Sequence, residues 1–197
     1  MASLNYLWKN RAKFSITSVA FYRAWGKRVF TLSELLNRNY RSFNLKRKGA
    51  KISSQAEIGE VNISGSLDLL TIGKQTFIGK ARFAMTKKIT IGNFVCINDE
   101  VVILTGGHDA FDPKWSSKRA EVIIDDYVWV GTGAMILAGV HLGRGCVVGA
   151  RAVVTKSVAP GEIVVGNPAK TLNKKRDIKF DYSPCEFIAA NRAWLIG

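Results

Sequence analysis

From Ile124 to Val154 an aliphatic residue returns every six positions: Ile124, Val130, Ile136, Leu142, Val148 and Val154. That beat restricts the fold more than any other feature of the chain, because an amphipathic helix repeats at about 3.6 residues and a half-buried strand at about 2. A six-residue period belongs to stacked solenoids. The same pattern runs earlier as Ile58-Gly59, Ile72-Gly73, Ile78-Gly79, Ile91-Gly92 and Ile97-Asn98, with short insertions between units. Three short strands joined by tight turns would close one triangular coil of roughly eighteen residues, and successive coils would stack about 4.8 Å apart. Each opening aliphatic points into the prism, and the glycine that follows is expected where the chain bends at a corner. Thr76, Val95, Val128, Ala134 and Ala152 supply the small or branched side chain that the remaining corner space admits. The predicted fold is all-β, a left-handed parallel β-helix of hexapeptide repeats over residues 51–170, with an inserted loop at 106–121. Residues 1–50 would form a short basic helical or irregular N-terminal cap, and 171–197 a short C-terminal tail.

The 197 residues suffice for one sizeable core. Cys96, Cys146 and Cys185 are an odd set without a close pair, so a disulfide framework is not expected and a reducing cytoplasm fits best. The two histidines, His108 and His141, share no ligand spacing, and no metal site is expected. Charge is uneven: residues 1–50 carry eleven Lys and Arg against the single acid Glu34, which is +10 of the total +14. The same segment holds Tyr6, Trp8, Phe14, Phe21, Tyr22, Trp25, Phe30, Tyr40 and Phe43, side chains suited to a boundary between water and an apolar phase. Two readings stay open, a cap over the first coil or a segment that rests peripherally on an anionic membrane. Nucleic acid is not expected, because no helix-turn-helix, RNP or zinc-finger pattern accompanies the charge. No uncharged apolar run approaches the roughly twenty residues of a bilayer span, and Phe14–Tyr22 is too polar for a signal-peptide core.

Where the beat breaks, chemistry is expected. Sixes counted from Ile91 reach Ile97 and Ile103, fail at Asp109 and resume only at Ile124. Between them the run from Thr105 to Trp115 leaves the prism, and loops held by a rigid scaffold often carry function. His108 stands at the root of this loop, and imidazole is the side chain that ordinarily titrates near neutrality.

The runs Val128-Trp129-Val130-Gly131-Thr132-Gly133-Ala134, Ala138-Gly139-Val140-His141-Leu142-Gly143, Val148-Gly149-Ala150-Arg151-Ala152-Val153-Val154-Thr155-Lys156 and Gly166-Asn167-Pro168-Ala169-Lys170 resemble the C-terminal half of the hexapeptide acyltransferases. Within them the chain is most similar to the O-acetyltransferases of bacterial colanic-acid, O-antigen and capsule synthesis, over roughly Ile52 to Lys170. The resemblance implies a homotrimer whose active sites lie between neighbouring prisms, acetyl-CoA as co-substrate, and His108 as general base toward an acceptor hydroxyl. A backbone N-H near Gly131–Gly133 would stabilise the charge that builds on the thioester carbonyl. Asp109, which follows the histidine as in the polysaccharide branch, would orient the imidazole or only hold the turn.

By the same resemblance Trp129 lines the intersubunit groove, and Thr132, Gly133 and Ala150 meet the pantetheine arm. Thr155 and Lys156 lie toward the nucleotide, and Lys170, with Lys174, Lys175 and Arg176, supplies cations for the 3′-phosphate. Asn173 fills a slot that often holds arginine in the family. Trp115 and Arg119 suit a sugar acceptor, and Asn98 either faces the same cleft or is a corner residue. His141 falls on the outward face of a regular hexapeptide and reads as surface.

The expected function is therefore acetyl transfer to a hydroxyl of a sugar or surface-polysaccharide precursor, a glycan or lipid-linked sugar, by a cytoplasmic enzyme at the inner membrane face. Two alternatives stand beside it, an N-acetyltransferase of an amino-sugar nucleotide and a non-catalytic hexapeptide scaffold. The first usually carries a nucleotide-binding βαβ unit, and the chain has no GxGxxG. A γ-class carbonic anhydrase would need three zinc-binding histidines, and the chain has two.

Overall fold

The computed structural model describes residues 4–197. Three helices come first, α1 (Leu4–Lys9), α2 (Val19–Phe30) and α3 (Leu32–Arg47). Ser18 starts α2, its hydroxyl accepting from the N-H of Phe21 at 3.2 Å. The chain then winds into coils of three strands each. The first three are β1 (Lys51–Ile52), β2 (Glu57–Ile58) and β3 (Val61–Ser64); β4 (Leu70–Ile72), β5 (Phe77–Ile78) and β6 (Ala81–Ala84); and β7 (Ile89–Ile91), β8 (Cys96–Ile97) and β9 (Val102–Leu104). A hairpin of β10 (Gly106–His108) and β11 (Ser117–Arg119) interrupts the winding. It resumes with β12 (Val122–Ile124), β13 (Trp129–Val130) and β14 (Met135–Ile136), then β15 (His141–Leu142), β16 (Val147–Val148) and β17 (Val153–Val154). A last coil carries β18 (Glu162–Val165), and β19 (Lys170–Lys175) folds back antiparallel on its edge.

Corresponding strands of successive coils pair in parallel and form the three faces of a parallel β-helix. Face one stacks β1-β4-β7-β12-β15, face two β2-β5-β8-β13-β16-β18 and face three β3-β6-β9-β14-β17. The six-residue beat is what fills it. Ile58, Ile78, Ile97, Val130 and Val148 occupy one register inside face two and are fully buried, as are Ile103 and Ile136 on face three. At roughly 25 cal/mol per Å² of apolar area removed from water, this column of aliphatics is the main source of stability.

The glycines after the beat have a different cause from the one the corner argument suggests. Gly131 has no unusual backbone angle; a Cβ there would stand 2.7 Å from the amide nitrogen of Ala150 in the next coil. Close approach of stacked backbones demands glycine at that place. The left-handed angles fall three residues after the beat, at Phe94 (φ 56), Tyr127 (φ 59) and Gly133 (φ 70). Acidic corner residues satisfy backbone donors of the neighbouring coil: Asp99 Oδ1 accepts from Lys80 N and Asp126 Oδ1 from Asn93 N, both at 2.7 Å.

The two ends of the chain meet. Leu7, Leu35, Cys185, Ala190 and Trp194 form a second core, which joins α1 and α3 to α4 (Ala189–Leu195). Arg28 of α2 is buried between the rings of Trp25 and Trp194 and donates to the carbonyls of Ala193 (3.0 Å) and Ala12 (2.7 Å). Of residues 171–197, anticipated as a tail, the part from Cys185 to Trp194 is thus folded against the N-terminal helices. Their tie to the prism is Glu57 of β2, fully buried, which accepts from Asn191 Nδ2 at 2.7 Å and lies 4.0 Å from Arg38 Nη1. Burial is the largest influence on this carboxyl and pushes its pKa up, against the Asn191 hydrogen bond and the Arg38 charge. An apolar strip made of Val19, Tyr22, Val29 and Phe30 of α2 and Leu36, Tyr40 and Phe43 of α3 stays exposed. Among the described residues no helix is long and apolar enough to cross a membrane.

Candidate active site

The hairpin is anchored before it leaves the prism. Thr105 is fully buried, and its hydroxyl accepts from the N-H groups of Thr86 (2.7 Å) and Lys87 (3.0 Å) in the coil below. Three antiparallel rungs follow: Gly106 opposite Arg119, Gly107 opposite Lys118, His108 opposite Ser117. His108 therefore stands at the outer end of an ordered hairpin, not at the root of an irregular loop.

The turn beyond it aims one carbonyl at the imidazole. Asp112 caps the turn, accepting from Lys114 N (2.9 Å) and Ser116 N (3.2 Å). Trp115 takes the left-handed conformation, φ 52, which is costly for a bulky residue. Its carbonyl oxygen then lies 2.8 Å from His108 Nδ1, and its indole stacks on the imidazole with centroids 4.9 Å apart and planes 15° apart. A carbonyl can only accept, so Nδ1 carries the hydrogen, and in the neutral ring Nε2 keeps its lone pair. One face of Trp115 is thus spent on His108, while the residue stays 63% exposed.

Asp109 serves the turn and not the imidazole. Its Oδ1 accepts from Phe111 N at 3.0 Å and its Oδ2 pairs with Lys118 at 2.8 Å. The Lys118 bond, then the Phe111 N-H, hold this half-buried carboxyl below the usual carboxylate range. The next residue along an extended chain points to the other side, and the group in contact with the imidazole Nδ1 is the Trp115 carbonyl. Arg119, at the first rung, donates to Ser117 Oγ at 2.9 Å.

The remaining sequence-derived positions divide between two edges of the prism. Asn98, Thr132, Gly133 and Ala150 lie where face two turns into face three, in the third, fourth, fourth and fifth coils. Thr155 and Lys156 lie where face three turns into face one, in the fifth coil, on the edge that bears the His108 hairpin two coils earlier. Thr132, Ala150, Thr155 and Lys156 are all exposed. Lys170 opens β19 beyond the fifth coil and is exposed as well. No single edge of one chain unites these residues with His108.

Trp129 belongs to a feature that sequence reasoning missed. Phe77, Cys96 and Trp129 are successive rungs on the outside of face two, and the segment from Arg176 to Ala189 crosses over them. Between them lies a groove of about 770 Å³, walled by Tyr182 and Phe187, with Arg38 and Arg176 at its sides and Asn98 at its rim. Stacking of Phe94, Tyr127 and Phe180 at 4.7 and 4.9 Å pins the crossing segment to the prism. Burial pushes the Cys96 thiol up to about 11, so it is a neutral lining group and not a nucleophile.

His141 is not a bare surface histidine: Nε2 lies 2.9 Å from Asp125 Oδ2 on the outside of face one. Among the described residues no three His, Cys, Asp or Glu gather as a metal site would require.

Comparison with known proteins agrees with this architecture. Residues 121–156 match the model of the bacterial transferase hexapeptide family, described as six repeats. The chain is 30% identical over 149 residues to WcaF of Escherichia coli strain K12, named as a colanic acid biosynthesis acetyltransferase, covering 75% of this chain and 81% of that protein. It spans about half the length of other curated relatives, 43% of one and 53% of another. Two solved structures share the fold. A hexapeptide-repeat acetyltransferase of Vibrio cholerae complexed with acetyl coenzyme A has a TM-score of 0.64 at 24% identity over 90% of this chain and 100% of that one. A maltose O-acetyltransferase of Clostridium difficile has a TM-score of 0.65 at 24% identity over 88% and 89%. The chain belongs to the bacterial hexapeptide-repeat acetyltransferases.

Proposed function

We propose that the protein is an acetyl-CoA-dependent O-acetyltransferase that acts on a hydroxyl of a sugar or surface-polysaccharide precursor, with His108 as general base. The observation that carries this reading is the 2.8 Å contact of His108 Nδ1 with the Trp115 carbonyl, which leaves Nε2 free to accept a proton. Nε2 takes the proton of the acceptor hydroxyl as its oxygen attacks the thioester carbonyl carbon. The carbon-sulfur bond then breaks, and the imidazolium returns the proton to the departing thiolate, giving an acetyl ester and free CoA. A backbone N-H near Gly131–Gly133 stabilises the carbonyl oxygen; the amides of Gly131 and Gly133 are given to Val148 O and Asp99 O, which leaves that of Thr132 for the role.

The split of the donor positions over two edges supports a homotrimer with shared sites. If the edge bearing Thr132, Gly133 and Ala150 faces the edge bearing His108, Thr155 and Lys156 of a neighbour, all six line one cleft. Along that cleft the third coil holds the base, the fourth and fifth the pantetheine arm, and Lys170 with its neighbours the nucleotide phosphates. WcaF, by its name, supports the polysaccharide setting. The exposed strip on α2 and α3, flanked by Arg23 and Lys27, supports peripheral contact of residues 1–50 with anionic lipid on the cytoplasmic side of the inner membrane.

Thiol release from acetyl-CoA across a panel of saccharides tests this reading. Release with at least one sugar is expected for the wild type; equal release by His108→Ala would overturn the base assignment.

A further inference from the structure

The groove over face two carries an assignment of its own. Its floor is a ladder of side chains one strand spacing apart, Phe77, Cys96 and Trp129, with Trp129 44% exposed. Phe187, 71% exposed, and Tyr182 face it from the crossing segment. Flat aromatic faces at this spacing suit the C-H faces of a pyranose ring. None of the lining residues is acidic and the Cys96 thiol is neutral; with Arg38 paired to Glu34, Arg176 sets the sign of the field.

Both cations are held in place before any ligand arrives. Arg176 donates to the Tyr182 hydroxyl at 2.8 Å and to the Tyr127 carbonyl at 3.4 Å, and lies 4.8 Å over the Phe180 ring. Arg38 is neutralised by Glu34 at 2.7 Å and turns its buried Nη1 toward Glu57 at 4.0 Å, so Arg176 is the cation left to meet a ligand. Fixed, planar donors favour carboxylate or phosphate oxygens over hydroxyls. The groove also ends at Asn98 and Trp129, on the side of the edge where Thr132 and Gly133 stand.

We infer that this groove binds the acceptor, and that the acceptor is a pyranose bearing an anionic group, a carboxylate or a phosphate. The inference rests on the O-acetyltransferase reading for the word acceptor, but the binding itself does not require turnover. The ring stacks on Trp129 and Phe187 while its anion meets Arg176. The hydroxyl to be acetylated then points past Asn98 toward the cleft in which a neighbouring His108 stands.

Isothermal titration of the full chain without acetyl-CoA is the test, with galacturonate, galactose 1-phosphate and neutral galactose as probes. Either acidic sugar is expected to bind at least about tenfold more tightly than galactose, the factor one added charge-assisted hydrogen bond supplies. Tighter binding of galacturonate would identify a carboxylate, and of galactose 1-phosphate a phosphate. Phe187→Ala, an exposed position that leaves the fold intact, and Arg176→Gln should each weaken that binding about tenfold, with partial recovery in Arg176→Lys. Equal binding of all three sugars, no binding of any, or loss in Trp115→Ala with wild-type binding in Phe187→Ala and Arg176→Gln would overturn the assignment. Failure of thiol release with normal acidic-sugar binding would count against the transferase reading instead.

Discussion

The stacked coils and the hairpin that interrupts them are held together by opposite means. In the coils each inward aliphatic is buried on its counterpart one coil away, as Ile97 is between Ile78 and Val130. In the hairpin nearly every side chain from His108 to Arg119 is exposed, and order comes from buried Thr105 at the root, the Asp109 and Asp112 turn bonds and the Trp115 carbonyl. On the proposed reading, stability and chemistry therefore sit on separate parts of one chain. Substitutions should separate them too.

The largest effect is expected in the hairpin. His108→Ala should lower turnover by about 10² to 10⁴, the usual worth of general-base assistance, with an unchanged melting temperature, whereas His141→Ala should keep wild-type turnover. A matching loss in both variants would erase the contrast between the two histidines. In the coils, Ile97→Ala should cost about 2–5 kcal/mol of unfolding free energy in denaturant titration, with turnover per folded molecule preserved. A cost near zero would show that the regular coils are not where stability resides.

Smaller effects sharpen the same division. Trp115→Ala removes the ring stacked on His108 but keeps the carbonyl, so turnover should fall about fivefold to tenfold while the KM for acetyl-CoA stays constant. A change confined to melting temperature would make Trp115 purely structural. Glu57→Gln addresses the contact between the prism and the paired chain ends. Because burial raises the native pKa of Glu57, the folded state holds that proton more tightly than the unfolded one. Its contribution is therefore present at low pH and lost as pH rises from the ordinary glutamate range through the raised native value. Wild-type stability relative to Glu57→Gln should fall across that window; a difference that is flat with pH would contradict a titrating Glu57.

The coils were legible because their signal is local and repeated: every inward position from Ile58 to Val154 states the same requirement, and parallel stacking follows from it. His108 was legible as the histidine at the broken beat. Its partner was not, because the Trp115 backbone carbonyl leaves no mark in the sequence and the visible neighbour, Asp109, is turned away by strand alternation. The role of residues 171–197 was hidden for another reason. Asn191 and Glu57 are 134 positions apart, and nothing in either neighbourhood announces the other. The groove shares that cause, since its floor comes from the repeat and its wall from the chain end.

The central claim is that a base on one prism edge works with a donor cleft on the edge of a neighbour. Co-expression of His108→Ala with Ala150→Trp, a bulky block at the exposed corner assigned to the pantetheine arm, tests it directly. Each variant alone should be inactive, and randomly mixed trimers should recover about a quarter of wild-type thiol release, the share of interfaces that pair an intact His108 with an intact Ala150 corner. Mixed trimers as inactive as either parent would place both elements in one chain and contradict the account.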